Sequence, residues 1–71
     1  MTNREELVKI ANFKMPYGKF KGLLLVNIPE PYYTWYAGKG FPEGKLGEYM
    51  AIMNEIKING LEKLIRPLIK K

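Results

Sequence analysis

The chain has 71 residues, of which 12 are basic and seven acidic, so its formal net charge is +5. It contains no cysteine or histidine, and serine, aspartate and glutamine are also missing. These absences exclude disulfides, thiolate and imidazole metal ligands, and the familiar nucleophile–base triads. The glutamates are scattered along the chain. We therefore expect one small domain over residues 1–71 that is not an enzyme and holds no metal or cofactor.

The hydropathy pattern gives an expectation about location. Apolar segments are short, residues 23–26 being a run of four, far fewer than the roughly 20 that cross a bilayer. The first six residues lack the cationic and then apolar pattern of a secretory signal. We expect a cytoplasmic protein that does not contact a membrane.

The first predicted element is a helix over residues 3–11. Thr2 and Glu5 have the spacing of a capping box, and apolar residues then recur at helical spacing. We expect this helix to end near Asn12.

Residues 13–26 predict a β-hairpin. Apolar residues alternate with Lys14 and Pro16 in the first part, and residues 23–26 form a second, apolar run. Gly18 and Gly22 flank the connection and permit the positive φ angles of a reversal. The predicted fold class is therefore α+β, a small β-hairpin packed with about four short helices and mostly helical overall.

Three further helices are predicted after the hairpin. Pro31 suits the first position of the second helix, which we expect to end at Gly38 or Gly40. The third covers residues 45–58, and the fourth lies within residues 61–69, with a kink or an end near Arg66 because Pro67 interrupts it.

Aromatic residues are concentrated in the second helix. Tyr32, Trp35 and Tyr36 share one face at i, i+3 and i+4, and we assign that face, with Phe41, to a core between the second and third helices. Tyr33 falls off this face, which makes it the better candidate for an exposed contact.

The basic residues are clustered. Residues 7–29 contain four lysines and no acid, the electrostatic pattern expected of a surface that contacts phosphates. Backbone amides and lysines of the Gly-Lys-Phe-Lys-Gly loop suit phosphate contacts, although the spacing is not that of a Walker loop. Aromatic rings beside these lysines suit stacking on bases. The alternative is a turn whose lysines keep it soluble and whose rings belong to the core. The candidate nucleic-acid-binding residues are Lys14, Tyr17, Gly18, Lys19, Phe20, Lys21, Gly22 and Lys39.

Longer motifs add a resemblance. The chain reads Met-Pro-Tyr-Gly-Lys-Phe-Lys-Gly at residues 15–22, Gly-Phe-Pro-Glu-Gly at 40–44 and Glu-Ile-Lys-Ile-Asn-Gly at 55–60. These motifs resemble the small bacterial and phage family of unknown function labelled putative quorum-sensing-regulated virulence factor. The first half of the chain also resembles a domain appended to the C-terminus of exonuclease-X-like DNA exonucleases. That resemblance implies an association with nucleic-acid processing and a nuclease as a partner, but no position matches the exonuclease's catalytic residues.

The predicted function is that of a non-catalytic module whose basic loop contacts DNA or RNA phosphates. The alternative is a protein-interaction module or a small homodimer, and we expect a monomer. Lysines that share one exposed face would favour nucleic acid. An apolar patch left open by Ile52, Ile58 and Leu68 would favour the alternative.

Overall fold

The computed structural model describes residues 3–70. Within them the chain forms helices and no β-strand, so the predicted α+β fold with a β-hairpin is wrong. The helices are α1 (Arg4–Ala11), α2 (Glu30–Lys39), α3 (Lys45–Ile58) and α4 (Glu62–Ile65), with short 3₁₀ turns at Leu25–Asn27 and Arg66–Leu68. No helix of this part of the chain is both long enough and apolar enough to cross a membrane.

Helix α1 begins at Arg4, one residue after the predicted start at residue 3. The side chain of Asn3 accepts a hydrogen bond from the Glu6 amide at 2.8 Å, which makes Asn3 the N-cap. Thr2, the predicted cap, lies outside the described residues. The predicted end near Asn12 is confirmed.

The segment between α1 and α2 doubles back without forming strands. A single antiparallel bridge joins Lys14 and Leu24. The Met15 amide donates to the Leu23 carbonyl oxygen at 2.8 Å, and the Gly22 amide donates to the Met15 carbonyl oxygen at 2.8 Å. The reversal was therefore predicted correctly, but its pairing is too short to be a hairpin of two strands.

Local backbone chemistry explains why the ladder stops. Pro16 has no N–H to donate, so pairing cannot continue through it. Gly18 and Gly22 have φ angles of 84° and 89° and enclose a turn rather than extended chain. The 3₁₀ turn at Leu25–Asn27 ends the extended conformation on the other side.

The later helices match the sequence-based boundaries closely. Helix α2 begins at Glu30, one residue before the predicted start, and ends before Gly40, whose φ of 96° suits only glycine. Helix α3 has the predicted bounds. The predicted break near Arg66 is confirmed, because α4 gives way there to a 3₁₀ turn that contains Pro67.

One hydrophobic core joins all of these elements. Helix α1 packs on α4 and on both 3₁₀ turns, and α3 packs on α2 and on the first of these turns. The largest fully buried side chains come from every helix and from the segment before α2: Tyr33, Ile10, Met15, Leu25, Ile28, Met50, Met53, Ile65 and Val26.

Polar contacts fasten the C-terminal segment to this core. The Asn12 side-chain amide donates to the carbonyl oxygens of Val8 and Leu68 at 2.8 and 3.0 Å, and its oxygen accepts from the Lys70 amide at 2.7 Å. One side chain therefore ends α1 and also holds the residues that follow α4.

A contact centred on Lys57 holds α4 against α3. The Lys57 ammonium group donates to the Val26 carbonyl oxygen at 2.8 Å and pairs with Glu62 at 3.2 Å. Only 6% of the Lys57 side chain is exposed, so its charge is stabilised by these two oxygens rather than by water.

Candidate functional site

The rotation of helix α2 decides which aromatic rings reach the surface. Tyr33 points inward, is fully buried, and donates a hydrogen bond from its hydroxyl to the Leu25 carbonyl oxygen at 2.8 Å. Burial, with a smaller contribution from Tyr32, raises the pKa of Tyr33 above its ordinary value. The expectation that Tyr33 is the exposed ring of this helix is therefore wrong.

A second face of α2 carries a partly exposed stripe. Tyr32, Trp35, Tyr36 and Lys39 stand at i, i+3, i+4 and i+7, which places them on one face. Trp35 is 55% exposed, so its assignment to the core is wrong. Tyr32 and Tyr36 are half-buried and pack at the margin of the core.

Aromatic contacts extend this stripe in both directions along the surface. The Phe20 ring meets the Tyr32 ring edge to face, with centroids 4.9 Å apart. The centroids of Tyr32 and Trp35 are 5.9 Å apart, and their ring planes are inclined by 31°. The ring centroids of Trp35 and Tyr36 are 5.6 Å apart, and those of Tyr36 and Phe41 are 5.9 Å apart. We call this set the aromatic row, and it consists of Phe20, Tyr32, Trp35, Tyr36 and Phe41.

The basic loop, residues 18–22, docks on the aromatic row. Phe20 is half-buried against Tyr32 rather than free at the tip of the loop. Gly18 lies beside the same ring, because a Cβ built on it would stand 3.8 Å from the Tyr32 hydroxyl. Tyr17 is the largest influence that raises the pKa of Tyr36, ahead of desolvation by burial.

Two ammonium groups lie over rings of the aromatic row. The Lys19 Nζ is 5.6 Å from the centre of the Phe20 ring, and the Lys39 Nζ is 4.7 Å from the centre of the Trp35 ring. Both distances are within the range of cation–π attraction. Lys39 and the basic loop, far apart in sequence, therefore share one surface.

Within the described chain, the remaining predicted lysines make no cation–π contact with the aromatic row. Lys14 and Lys21 are exposed, and Lys14 stands at the single bridge before the loop. Gly22 ends the turn with a positive φ. Across residues 3–70 the ion pairs within 4 Å involve other basic residues, namely Lys45, Lys57 and Arg66. None of the four predicted lysines has a carboxylate partner in that part of the chain.

Sequence reasoning found the basic loop but missed Trp35 and Tyr32 as parts of the same surface. The signal was present, because Lys39 continues the i, i+3, i+4 spacing of the aromatic residues by one step. A helix face that ends in lysine is more typical of a surface than of a core.

A separate apolar groove lies between α1, α3 and α4. Its volume is about 200 Å³. Leu61 and Leu64 at its rim are 41% and 66% exposed, and nearby in sequence Ile58 is 61% exposed. Ile52 and Leu68 pack against the core, and Leu68 also lines the groove. The groove is lined by Leu7, Ile56, Leu61, Leu64, Ile65 and Leu68.

Acidic residues do not gather into a metal site in the described part of the chain. No group of three or more histidine, cysteine, aspartate or glutamate side chains comes together there. The aromatic row and the lysines over it present rings, phenol hydroxyls and ammonium groups.

Comparison with known proteins places the chain in a family. It is 52% identical over 66 residues to "Uncharacterized protein YpeB" of Escherichia coli strain K12, which covers 92% of this chain and 92% of that protein. The protein of the same description from Escherichia coli O157:H7 matches equally. No solved structure matches. Residues 3–68 match the family described as "Putative quorum-sensing-regulated virulence factor", which confirms the resemblance seen in the motifs, and the chain belongs to that family.

Proposed function

We propose that this protein is a non-catalytic module that binds nucleic acid through the basic loop and the exposed face of α2. The observation that carries the proposal is the aromatic row, along which Phe20 of the loop contacts Tyr32 of the helix. Lys19 and Lys39 lie over rings of this row. Positive charges interleaved with partly exposed rings are the combination that binds phosphates and bases.

The charge of this surface supports phosphate contacts. Lys14, Lys19, Lys21 and Lys39 have no carboxylate within 4 Å among residues 3–70, so their charges are available to an anionic ligand. Each phosphate that a lysine neutralises releases condensed counterions, which favours binding at low salt. We do not expect base-edge reading, because α2 carries no asparagine, glutamine or arginine.

The composition supports a binding role rather than catalysis. The chain has no histidine, cysteine, serine or aspartate to act as a base, nucleophile or metal ligand. The first half of the chain resembles a domain appended to exonuclease-X-like DNA exonucleases, so a nuclease is the protein partner that we propose for such a module.

An NMR titration with a short DNA strand, and then with an RNA strand, tests this function. We expect the largest amide shifts at residues 17–22 and 35–39, with α4 unaffected. The proposal fails if neither strand causes shifts at low salt. It also fails if the shifts are confined to the groove around Leu61 and Leu64.

A second candidate function is self-association, and the apolar groove favours it. Leu64 and Leu61 of the groove are 66% and 41% exposed, and small monomers seldom leave a large apolar patch open to solvent. Sedimentation at micromolar concentration distinguishes the two functions. A mass of one chain agrees with the nucleic-acid proposal, whereas a mass of two chains that Leu64→Lys returns to one would favour a homodimer.

A further inference from the structure

Trp35 is the most exposed aromatic ring that the structure describes, and its position is braced. It is 55% exposed, compared with 48% for Tyr17. Tyr32 and Tyr36 contact it at centroid distances of 5.9 and 5.6 Å. These neighbours restrict the indole while leaving much of its surface to solvent, which is a costly arrangement for a large apolar ring unless a ligand covers it.

Lys39 is the cation that lies over this ring. Its Nζ stands 4.7 Å from the centre of the Trp35 ring, in the position from which a flat ligand would stack. The lysine is exposed and is joined to the ring only by a cation–π contact on a flexible side chain. A base that stacks on Trp35 would displace the ammonium group, and the phosphate of the same nucleotide would offer it a stronger partner.

We propose, on the basis of the function proposed above, that the ligand is a single strand and that Trp35 is its principal stacking platform. In a duplex each base face is covered by the neighbouring base pairs, so an indole cannot stack on it without unstacking them. In a single strand the base faces are accessible and every base can stack. Lys39 leaves the indole and binds the phosphate of the stacked nucleotide.

The residues of the basic loop support this division between stacking and phosphate contacts. Phe20 is half-buried against Tyr32, so its ring supports the surface more than it offers a free face. Lys19 and Lys21 on either side of it are exposed. The loop therefore supplies charge to the backbone of the strand, and Trp35 supplies the stack.

The test uses the full chain and its own fluorescence. Trp35 is the only tryptophan of the sequence, so indole emission reports on this site alone. A DNA strand about 12 nucleotides long, within the usual site sizes of small binding folds, is compared with the duplex of the same sequence, and the anisotropy of labelled DNA gives each affinity. We expect the single strand to bind more tightly and to quench the indole, and the duplex to leave the emission unchanged.

Variants at two positions separate stacking from charge. Trp35→Leu should weaken single-strand binding by roughly 5- to 150-fold, the range for one base stack, whereas Trp35→Phe should retain much of the affinity. Lys39→Gln should lower the magnitude of the salt slope by about 0.7, the single-strand value for one phosphate. Lys63→Gln, an exposed lysine of α4, is the matched control and should not change that slope.

The outcomes distinguish this inference from the function on which it rests. Equal binding of strand and duplex, with unchanged indole emission and no effect of Trp35→Leu, would overturn the stacking site and leave nucleic-acid binding intact. Binding of neither form at low salt would overturn both. Circular dichroism of Trp35→Leu checks its fold, and quenching in the parent protein decides the question if that variant unfolds.

Discussion

The hydroxyl of Tyr33 donates a hydrogen bond to the carbonyl oxygen of Leu25 at 2.8 Å inside the core. This contact joins α2 to the 3₁₀ turn that precedes it. Because Tyr33 faces inward, Trp35, two residues later, faces solvent. The same bond thus connects the stability of the fold with the presentation of the proposed binding surface.

Removing this hydroxyl should destabilise the protein by a modest amount. In Tyr33→Phe the Leu25 carbonyl oxygen keeps its second bond, from the Ile28 amide at 3.2 Å. The expected loss in the free energy of unfolding is therefore about 0.5–1.5 kcal/mol, the net value of one hydrogen bond. Urea unfolding measures it, and Tyr32→Phe, at a half-buried ring, is the control that should change stability less. Equal losses in the two variants would contradict this role of Tyr33.

The raised pKa of Tyr33 predicts a loss of stability at alkaline pH. In the unfolded chain the phenol ionises near its ordinary pKa of 10.0, whereas in the folded chain burial keeps it protonated. The unfolded state therefore binds fewer protons above pH 10, and the free energy of unfolding falls as pH rises from that point. Below pH 10 the contribution of Tyr33 is constant.

Unfolding by urea between pH 8 and 11 tests this linkage. Tyr33→Phe should show a shallower decrease than the parent above pH 10, because it has no phenol to ionise at that position. Parallel curves for the two proteins would show that Tyr33 does not contribute. Tyr36, whose pKa is also raised, contributes with the same sign in both proteins.

Helix boundaries could be predicted from the sequence, but the orientation of α2 could not. The i, i+3, i+4 spacing of Tyr32, Trp35 and Tyr36 is the same whether that face is buried or exposed. The choice depends on the contact between Tyr33 and Leu25, which is tertiary. Local composition identifies the basic loop. It does not show that the loop shares a surface with Lys39, because that depends on the packing of Phe20 on Tyr32.

The absent hairpin has a different cause. Alternation of apolar and polar residues over residues 13–17 satisfies the strand pattern, but a strand also needs an unbroken set of donors. Pro16 interrupts that set, and the chain turns into a 3₁₀ conformation at Leu25. A period-two pattern this short does not distinguish a strand from an extended arm.

Gly47 should tolerate no side chain. It is buried in the first turn of α3, and a Cβ on it would overlap the backbone carbonyl group of Pro42. Gly47→Ala should therefore lose at least the ~1–3 kcal/mol typical of overpacking. The control is Gly38→Ala in α2, where a Cβ meets nothing within 4 Å. That change should stabilise the helix by about 0.5–1 kcal/mol. Thermal unfolding should move in opposite directions for the two variants, and a stable Gly47→Ala would contradict the close approach.

Asn12 should matter more than an ordinary helix-ending residue. Asn12→Ala loses the side-chain bonds to the carbonyl oxygens of Val8 and Leu68 and to the Lys70 amide. At about 0.5–1.5 kcal/mol for each bond, the loss should clearly exceed that of a single bond. The control, Asn59→Ala, removes one exposed bond to the Glu55 carbonyl oxygen. Hydrogen exchange should show faster exchange over residues 66–70 in Asn12→Ala alone, and unchanged exchange there would contradict the fastening role.

Two matched charge reversals show whether the basic loop and α2 form a nucleic-acid surface. Lys19→Glu with Lys21→Glu changes the loop, and Lys9→Glu with Lys63→Glu changes exposed lysines of α1 and α4. Each substitution replaces a positive charge with a negative one and lowers the net charge by two, so both double variants change it from +5 to +1. Exposed lysines contribute little to stability, so both variants should remain folded.

The affinity of the parent and of both variants for a short single strand is measured across a series of salt concentrations. With about three phosphate contacts at about 0.7 each, the parent should show a log–log slope of roughly −2. The loop variant should lose binding, whereas the control variant should retain most of it. Equal losses in the two variants, or a loop variant that binds as tightly as the parent, would show that the basic loop is not the binding surface.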